Sequence, residues 1–333
     1  MTGFALYRFP YEQQCTLVTG DVSEIPSSDG LSASSGFVVA PFAQSPQCPI
    51  LLITPDRVDC NPTSYPELPT LSQLPLAIPD TYHADFSAFH DRLISGDFQK
   101  LVLSRCLDIR RENGGDPFVL FRKACENYPR MFISLVFTPL SGLWLTATPE
   151  VLLAGNDSAW QTMALAGTMP FADEVGWSDK NIQEQRYVAT YVTEQLEHFA
   201  NDISEQGPRT VRAGHLAHLR SDFLFTLKDD NHLGELIEAL HPTPAVCGLP
   251  KEEAFRFILD TEHHDRRYYS GFMGPLHISP STRLFVTLRC MQIFRDGYRL
   301  YAGGGLLKDS VEEQEWQETE TKLDTMRNVI RNV

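Results

Sequence analysis

The sequence predicts a mixed α+β fold with large sheets, and three observations support that class. Runs of strand-like residues are interrupted by long helical stretches, without the regular strand–helix–strand alternation of a parallel sheet. No fixed-period repeat, low-complexity tract or convincing linker occurs after residue 80. With 333 residues, 42% hydrophobic and 21% charged, the chain can bury a large core and has ordinary globular composition.

Residues 1–80 set short apolar runs, Gly36–Pro41 and Pro49–Pro55, among Ser, Pro and Gly, and read as short strands joined by long loops. An amphipathic helix is expected over Asp80–Gly96 and a buried strand over Lys100–Leu107. Pro117–Asn127 fits a helix, and Met131–Phe137, Leu143–Thr148, Val151–Ala154 and Met163–Gly167 fit successive strands. A longer helix follows a cap at Ser178 or Asp179 and runs from Lys180 to Glu205. Strand-like residues return at Thr210–Ala213 and Leu216–Leu227, followed by short helices at His232–Leu240 and Lys251–Leu259. Three strands, Tyr268–Met273, Arg283–Ile293 and Tyr298–Ala302, lead to a glycine turn at Gly303–Gly305, an acidic run and a last helix. We divide the chain into an N-terminal part, 1–80, and a main region, 81–333, within one continuous structural domain.

The formal net charge of −15 argues against nucleic acid or an anionic membrane surface as partner. An anionic substrate would then need a local cluster of Arg, Lys, backbone N–H groups or metal. The seven cysteines are scattered and form no CxxC pair, which suits reduced thiols in a cytosolic protein. The start, MTGFALYRFP, lacks a basic n-region and an apolar h-region, and no apolar run approaches membrane-spanning length. A soluble, cytoplasmic protein is expected. No nucleophile elbow, P-loop or dinucleotide fingerprint is present.

Several residues carry possible chemistry, each beside a plainer reading. On the last helix Glu315 and Glu318 stand three apart and Lys322 four beyond, so they share a face. That face is either a solvated Glu–Lys surface or part of a site. Lys100 opens the strand KLVLSRCL, as an edge guard or as a desolvated lysine able to accept a proton. Glu150, in TATPEVLLAG, is either a turn residue facing water or a carboxyl with raised pKa suited to general acid work. Glu184, with Glu315 and Glu318, offers hard oxygen ligands that suit Mg²⁺, against a default of solvated surface. Arg289 interrupts the apolar run LFVTLRCMQI and calls for an anion or a structural salt bridge. His241, in LHPTPAVCGLP, either hydrogen-bonds a substrate hydroxyl or holds the loop. The residues alone suggest a Mg²⁺-assisted enzyme using a Lys and Glu pair on a carboxylate-bearing substrate.

The blocks FQKLVLSR, TATPEVLL, MALAGT, SDKNIQEQRYV, LHPTPAVCGLP, DRRYYSGFMG, FVTLRCMQI, YAGGGLL and EWQETETKL occur in this order over roughly residues 95–330. As an ordered set they resemble the chorismate-utilising enzymes, nearest to the branch that forms isochorismate. The resemblance implies two layered antiparallel sheets flanked by helices, with the site between them. It implies Lys100 as the base that activates water and Glu150 as the acid that protonates the leaving hydroxyl. Glu184 and Glu318 match magnesium ligands, with Glu315 near the metal. Arg289, Lys322, Tyr301, Gly167 and Gly305 match positions that hold substrate carboxylates, and Thr168 and Gly303 belong with them. His241 matches a loop that approaches the ring, and Tyr269 and Leu288 match the pocket wall.

Aminating relatives of one branch use a lysine nucleophile where this chain has Ala166, so water is the expected nucleophile and no amidotransferase partner is expected. The resemblance leaves open a second step that eliminates pyruvate to give salicylate, and a silent chorismate-binding protein. Gln185 stands where many relatives have His, and Asn181 where Asp is frequent, which alters the surroundings of the metal ligands. Supply of menaquinone rather than siderophore synthesis, and a monomer, complete the expectations.

Overall fold

Between Gly36 and Ala40, Phe37 and Val39 join one core while Val38 and Ala40 join another, and all four are buried. A strand apolar on both faces has to be covered twice, which calls for a layered sheet. The computed structural model describes residues 1–331 except 111–114, 157–158, 172–175, 215 and 279–280.

The chain opens with β1 (Thr2–Arg8), β2 (Thr16–Ile25), β3 (Gly36–Ala40) and β4 (Ile50–Cys60). Helix α1 (Tyr82–Ile94), β5 (Lys100–Arg110) and α2 (Pro117–Asn127) follow. Next come β6 (Phe132–Thr138), β7 (Gly142–Thr148), β8 (Val151–Asn156) and β9 (Ala159–Pro170). Helix α3 (Asp179–Phe199) leads into the long hairpin of β10 (Ala200–Ala213) and β11 (Leu216–Leu227), then α4 (Leu233–Leu240). The short β12 (Gly248–Leu249), α5 (Lys251–Thr261), β13 (Phe272–Leu276) and β14 (Thr282–Val286) come next. The chain closes with β15 (Cys290–Phe294), β16 (Gly297–Leu306) and α6 (Glu312–Ile330).

The strands join one antiparallel ladder in the order β10-β11-β9-β8-β14-β13-β3-β4-β2-β1-β6-β7-β15-β16-β5-β12. The ladder doubles back so that its halves face each other. Phe132 of β6 stacks parallel on Phe285 of β14 with centroids 4.0 Å apart, although β13, β3, β4, β2 and β1 separate their strands in the ladder. Ser134 Oγ of β6 reaches Met273 Sδ of β13 at 3.1 Å. The two expected layers are thus halves of one continuous sheet. Outside one half, Val188, Val192 and Leu236 of α3 and α4 cover Val38, Ala40 and Leu52. Outside the other, Phe121, Leu323 and Met326 of α2 and α6 cover Leu135, Leu145 and Leu300. At the β5 end, Phe89 of α1 and Ile258 of α5 pack on Leu101 and Leu103.

Local signals explain several boundaries. Asp116 accepts from Phe118 N with Pro117 in the first turn of α2, and Ser178 accepts from Asn181 N at the start of α3. The expected helix to Glu205 stops at Phe199, and β10 takes over. Strand β10 lies on the ladder's edge and is largely exposed, so it carries no apolar alternation; pairing with β11 decides its conformation. The expected strand Arg283–Ile293 splits in two around Arg289, whose φ of +45° breaks the extended run. The strand expected from Tyr268 begins at Phe272, because Arg267 and Ser270 take φ values of +51° and +61°. Gly303–Gly305 is no turn: these residues continue β16, paired with Ser104, Leu103 and Val102 of β5. The first 80 residues hold long β2 and β4 rather than only short strands, and β1–β4 lie in the middle of the ladder. No helix among the described residues is long and apolar enough to cross a membrane.

The Phe132–Phe285 contact joins the two halves with both side chains buried. Phe132→Ala is expected to lower unfolding free energy by about 3–5 kcal/mol, as for other buried aromatic truncations. Urea unfolding checks this; a loss below about 1 kcal/mol would show that the layers are held elsewhere.

Candidate active site

Folding of the ladder brings its two ends together. The pocket forms where β9 and β11, near one end, meet β5 and β16, near the other. Glu150, Gly167, Thr168, Glu184, Tyr269 and Leu288 line it, together with Arg289, Gly303, Gly305 and Lys322. Lys100 lies just behind this lining. Its side chain is fully buried, with Nζ 3.0 Å from Glu184 Oε1. That contact misses hydrogen-bond geometry, so Nζ has no hydrogen-bond acceptor among the described residues. Lys100 is therefore no edge guard facing water.

The glycines of β16 make the approach possible. A Cβ on Gly305 would fall 2.1 Å from Glu184 Oε1 and 3.0 Å from Lys100 Cε. On the opposite face, a Cβ on Gly304 would lie 3.5 Å from Glu318 Oε1 and 3.7 Å from Glu315 Oε2. Carboxylates thus reach the end of β16 from α3 on one side and α6 on the other. Each is paired with a lysine: Glu184 with Lys100, Glu315 with Lys180, and Glu318 with Lys322 at 2.6 Å. Lys322 Nζ also donates to Gly303 O at 2.8 Å. Glu315 and Glu318 line an adjoining cleft that shares Thr168 with the pocket. No group of three His, Cys, Asp or Glu among the described residues is gathered closely enough to hold a metal unaided.

Burial splits the carboxyls into two kinds. Glu150 is 2% exposed, so it does not face water as a turn residue. Burial pushes its pKa up to about 7, against the pull of Lys100, while Thr243 Oγ1 donates to it at 3.4 Å. Glu184 is buried too, but Lys100 and then Lys180 outweigh desolvation and hold its pKa below the usual value. Burial raises the pKa of Glu315 against the opposing charge of Lys180. Neither Glu184 nor Glu315 belongs to a solvated surface.

Arg289 is buried, and desolvation pushes its pKa down to about 10. No carboxylate pairs with it among the described residues, and its Nη1 lacks a hydrogen-bond partner there. A buried guanidinium without a counter-charge favours the anion-partner reading over the structural salt bridge. Its Nη2 meets His218 Nε2 at 3.2 Å, and His218 Nδ1 meets Gly167 O at 3.0 Å. Only a donor can meet a carbonyl, so Nδ1 carries the hydrogen and Nε2 is free to accept from Arg289. Burial and Arg289 hold the His218 pKa well below the usual value, consistent with that neutral form. Sequence reasoning missed His218, although a lone imidazole in the strand LAHLRSDFL is the same kind of signal as Arg289. It also missed Lys180, which follows the cap of α3.

Besides Lys100 behind the lining and Glu315 and Glu318 in the adjoining cleft, two expected site residues stand outside both pocket and cleft. The ring of Tyr301 lies between Trp144 and Tyr269, at 5.4 and 5.6 Å, in the core between the layers. It shares a strand face with Gly303 and Gly305, but one pleat deeper, where aromatic packing fills the space. His241 Nε2 contacts Pro41 O at 3.1 Å and its ring meets Phe272 edge-on, so the histidine holds its own loop. Gln185 points away from Glu184, donating to Ser221 Oγ on β11 at 2.9 Å. Asn181 packs beside Gly167.

A sequence model of a family described as chorismate binding enzyme matches residues 57–331. The chain belongs to this family. Among curated members, isochorismate synthase EntC of Escherichia coli is 29% identical over 242 residues, 69% of this chain and 62% of EntC. The chain therefore matches less than two thirds of that relative's length. Isochorismate synthase DhbC of Bacillus subtilis is 29% identical over 270 residues, 76% of this chain and 68% of DhbC. The solved structure of DhbC from Bacillus anthracis superposes with a TM-score of 0.84 at 25% identity, covering 98% of this chain and 95% of its own. The chain thus has the chorismate binding enzyme fold expected from its motifs.

A carboxyl with a raised pKa binds more protons folded than unfolded between its two pKa values. Its contribution is full below the unfolded value of 4.5 and is lost as pH rises through about 7. Wild type is expected to lose stability relative to Glu150→Gln across that window, by on the order of 3 kcal/mol. Urea unfolding of both proteins at several pH values checks this, and parallel profiles would remove the perturbed carboxyl.

Proposed function

We propose that this protein is a Mg²⁺-dependent isochorismate synthase, adding water at C2 of chorismate while the C4 hydroxyl leaves. The observation that carries the reading is a fully buried lysine, Lys100, beside a pocket that also holds a carboxyl near neutrality, Glu150. In its neutral form Lys100 takes the proton of the attacking water as the C2–O bond forms; the positive charge beside Glu184 would then come from bound Mg²⁺. Glu150, with its pKa near working pH, gives a proton to the departing hydroxyl as the C4–O bond breaks. The ring double bonds shift between those carbons, so the change is an isomerisation with no net loss of atoms. Similarity to EntC and DhbC supports this choice of reaction, and Ala166 puts no amine at the position where aminating relatives carry their lysine nucleophile.

The substrate is a dicarboxylate, and a −15 chain needs local cations to hold it. Arg289 offers an Nη1 with no hydrogen-bond partner among the described residues, and Lys322, beside Gly303, offers a second cation in the lining. Gly167 and Thr168 line the pocket too, and Tyr269 and Leu288 complete its wall. Glu184 and Glu318, with Glu315, would hold Mg²⁺: all are hard oxygen donors that reach the side-chain-free end of β16. Mg²⁺ commonly takes one or two carboxylates and completes its shell with waters and an anionic ligand, so a ready group of three is not required. When bound, Mg²⁺ withdraws charge from the ring carboxylate and orients the substrate. Whether isochorismate goes on to menaquinone or to a catechol siderophore is decided by the enzyme that consumes it.

Proton NMR of the protein with chorismate and Mg²⁺, with and without EDTA, tests the reading. An EDTA-sensitive mixture of chorismate and isochorismate is expected. Accumulating salicylate and pyruvate would move the protein to the eliminating branch, and unchanged chorismate would make it a silent binder. Lys100→Ala is expected to lower kcat at least about 100-fold with chorismate binding retained; near-normal kcat would remove Lys100 from the base role. Glu318→Gln is expected to raise the Mg²⁺ needed for half-maximal turnover, and an unchanged titration would exclude it as a ligand.

A further inference from the structure

We propose that Lys180 is a resident cation of the carboxylate site, which a divalent metal has to displace. The inference rests on the magnesium reading above and assigns a role to a residue which that reading does not use.

Lys180 is the second residue of α3, at the positive end of the helix dipole, where a cation is disfavoured. Its ammonium is nevertheless drawn inward and donates to Glu315 Oε1, whose side chain is 2% exposed. One ammonium thus occupies Glu315 and shares a cleft with Glu318, two of the carboxylates that would receive the metal.

The other two lysines are placed differently. Lys100 is fully buried on β5, and Lys322 is also tied to the Gly303 carbonyl. Lys180 is 28% exposed and lines the open cleft beside Thr168 and Glu318. Its flexible stem can carry the ammonium out into that cleft, and a metal taking its place would compensate the buried Glu315. A divalent ion and the ammonium cannot both contact Glu315 without strong repulsion at such short range. Metal binding therefore costs the Lys180–Glu315 pair, and Lys180 sets how much Mg²⁺ is needed.

Calorimetric titration of MgCl₂ into the full chain tests this on wild type, Lys180→Gln and Lys180→Arg. Lys180→Gln is expected to bind Mg²⁺ about tenfold more tightly, and Lys180→Arg, which keeps the charge, to stay near wild type. A second readout needs no variant: acetylation of Lys180 by acetic anhydride, followed by mass spectrometry, is expected to rise several-fold when Mg²⁺ is added to wild type. Wild-type or weaker affinity in Lys180→Gln, or acetylation that Mg²⁺ leaves unchanged, would overturn the competition. Absence of Mg²⁺ binding in wild type and both variants would instead overturn the metal site itself, and this inference with it.

Discussion

The contact between Lys100 and Glu184, closed over a glycine, is the constraint on which the site depends. Both side chains are largely or fully buried where the ends of the folded ladder meet, and Gly305 leaves no Cβ between them. An ion taken out of water costs several kcal/mol, and removing one partner of such a pair leaves an uncompensated charge that costs about 3–5 kcal/mol. The pair therefore ties α3 to β5 across β16. The same requirement recurs at each neighbouring carboxylate, which is why Glu315 and Glu318 also face lysines.

Charge compensation is deliberately uneven. Arg289 keeps one guanidinium nitrogen without a partner among the described residues, although its other side is fixed by His218, itself fixed by Gly167. That chain of contacts holds a cation toward the pocket at the cost of a left-handed backbone at Arg289. Glu150 and Glu184 are chemically identical and both buried, yet one sits near neutrality and the other is held ionised by lysines. Two carboxyls with separated pKa values in one pocket suit a division between proton transfer and charge binding.

Much of the fold was legible where elements had strong local signals. Helix α2 runs over the expected Pro117–Asn127, because Asp116 and Pro117 mark its start and an apolar stripe fills its inner face. Strands β5 to β9 were found as apolar runs between turns, with ends shifted by a few residues. Failures came where a partner decided the conformation. Exposed β10 has no alternation of its own, and the Gly303–Gly305 run looks like a turn until β5 is laid beside it. In the site, the matching blocks placed most residues on one pocket, but Tyr301 and His241 went into packing roles that spacing does not reveal.

The sequence by itself determined the family and the inventory of groups: a lysine opening a strand, a glutamate between apolar strands, a helix face of Glu315, Glu318 and Lys322, and an arginine in an apolar run. Those are local patterns, and they can be read from residue order. The tertiary structure alone decided which carboxyl is pushed up and which down, which lysine faces which glutamate, and that His218 and Lys180 join the site. Ionisation and pairing depend on burial and on distances of a few ångströms, and the groups involved come from opposite ends of the ladder and from helices far apart in the chain.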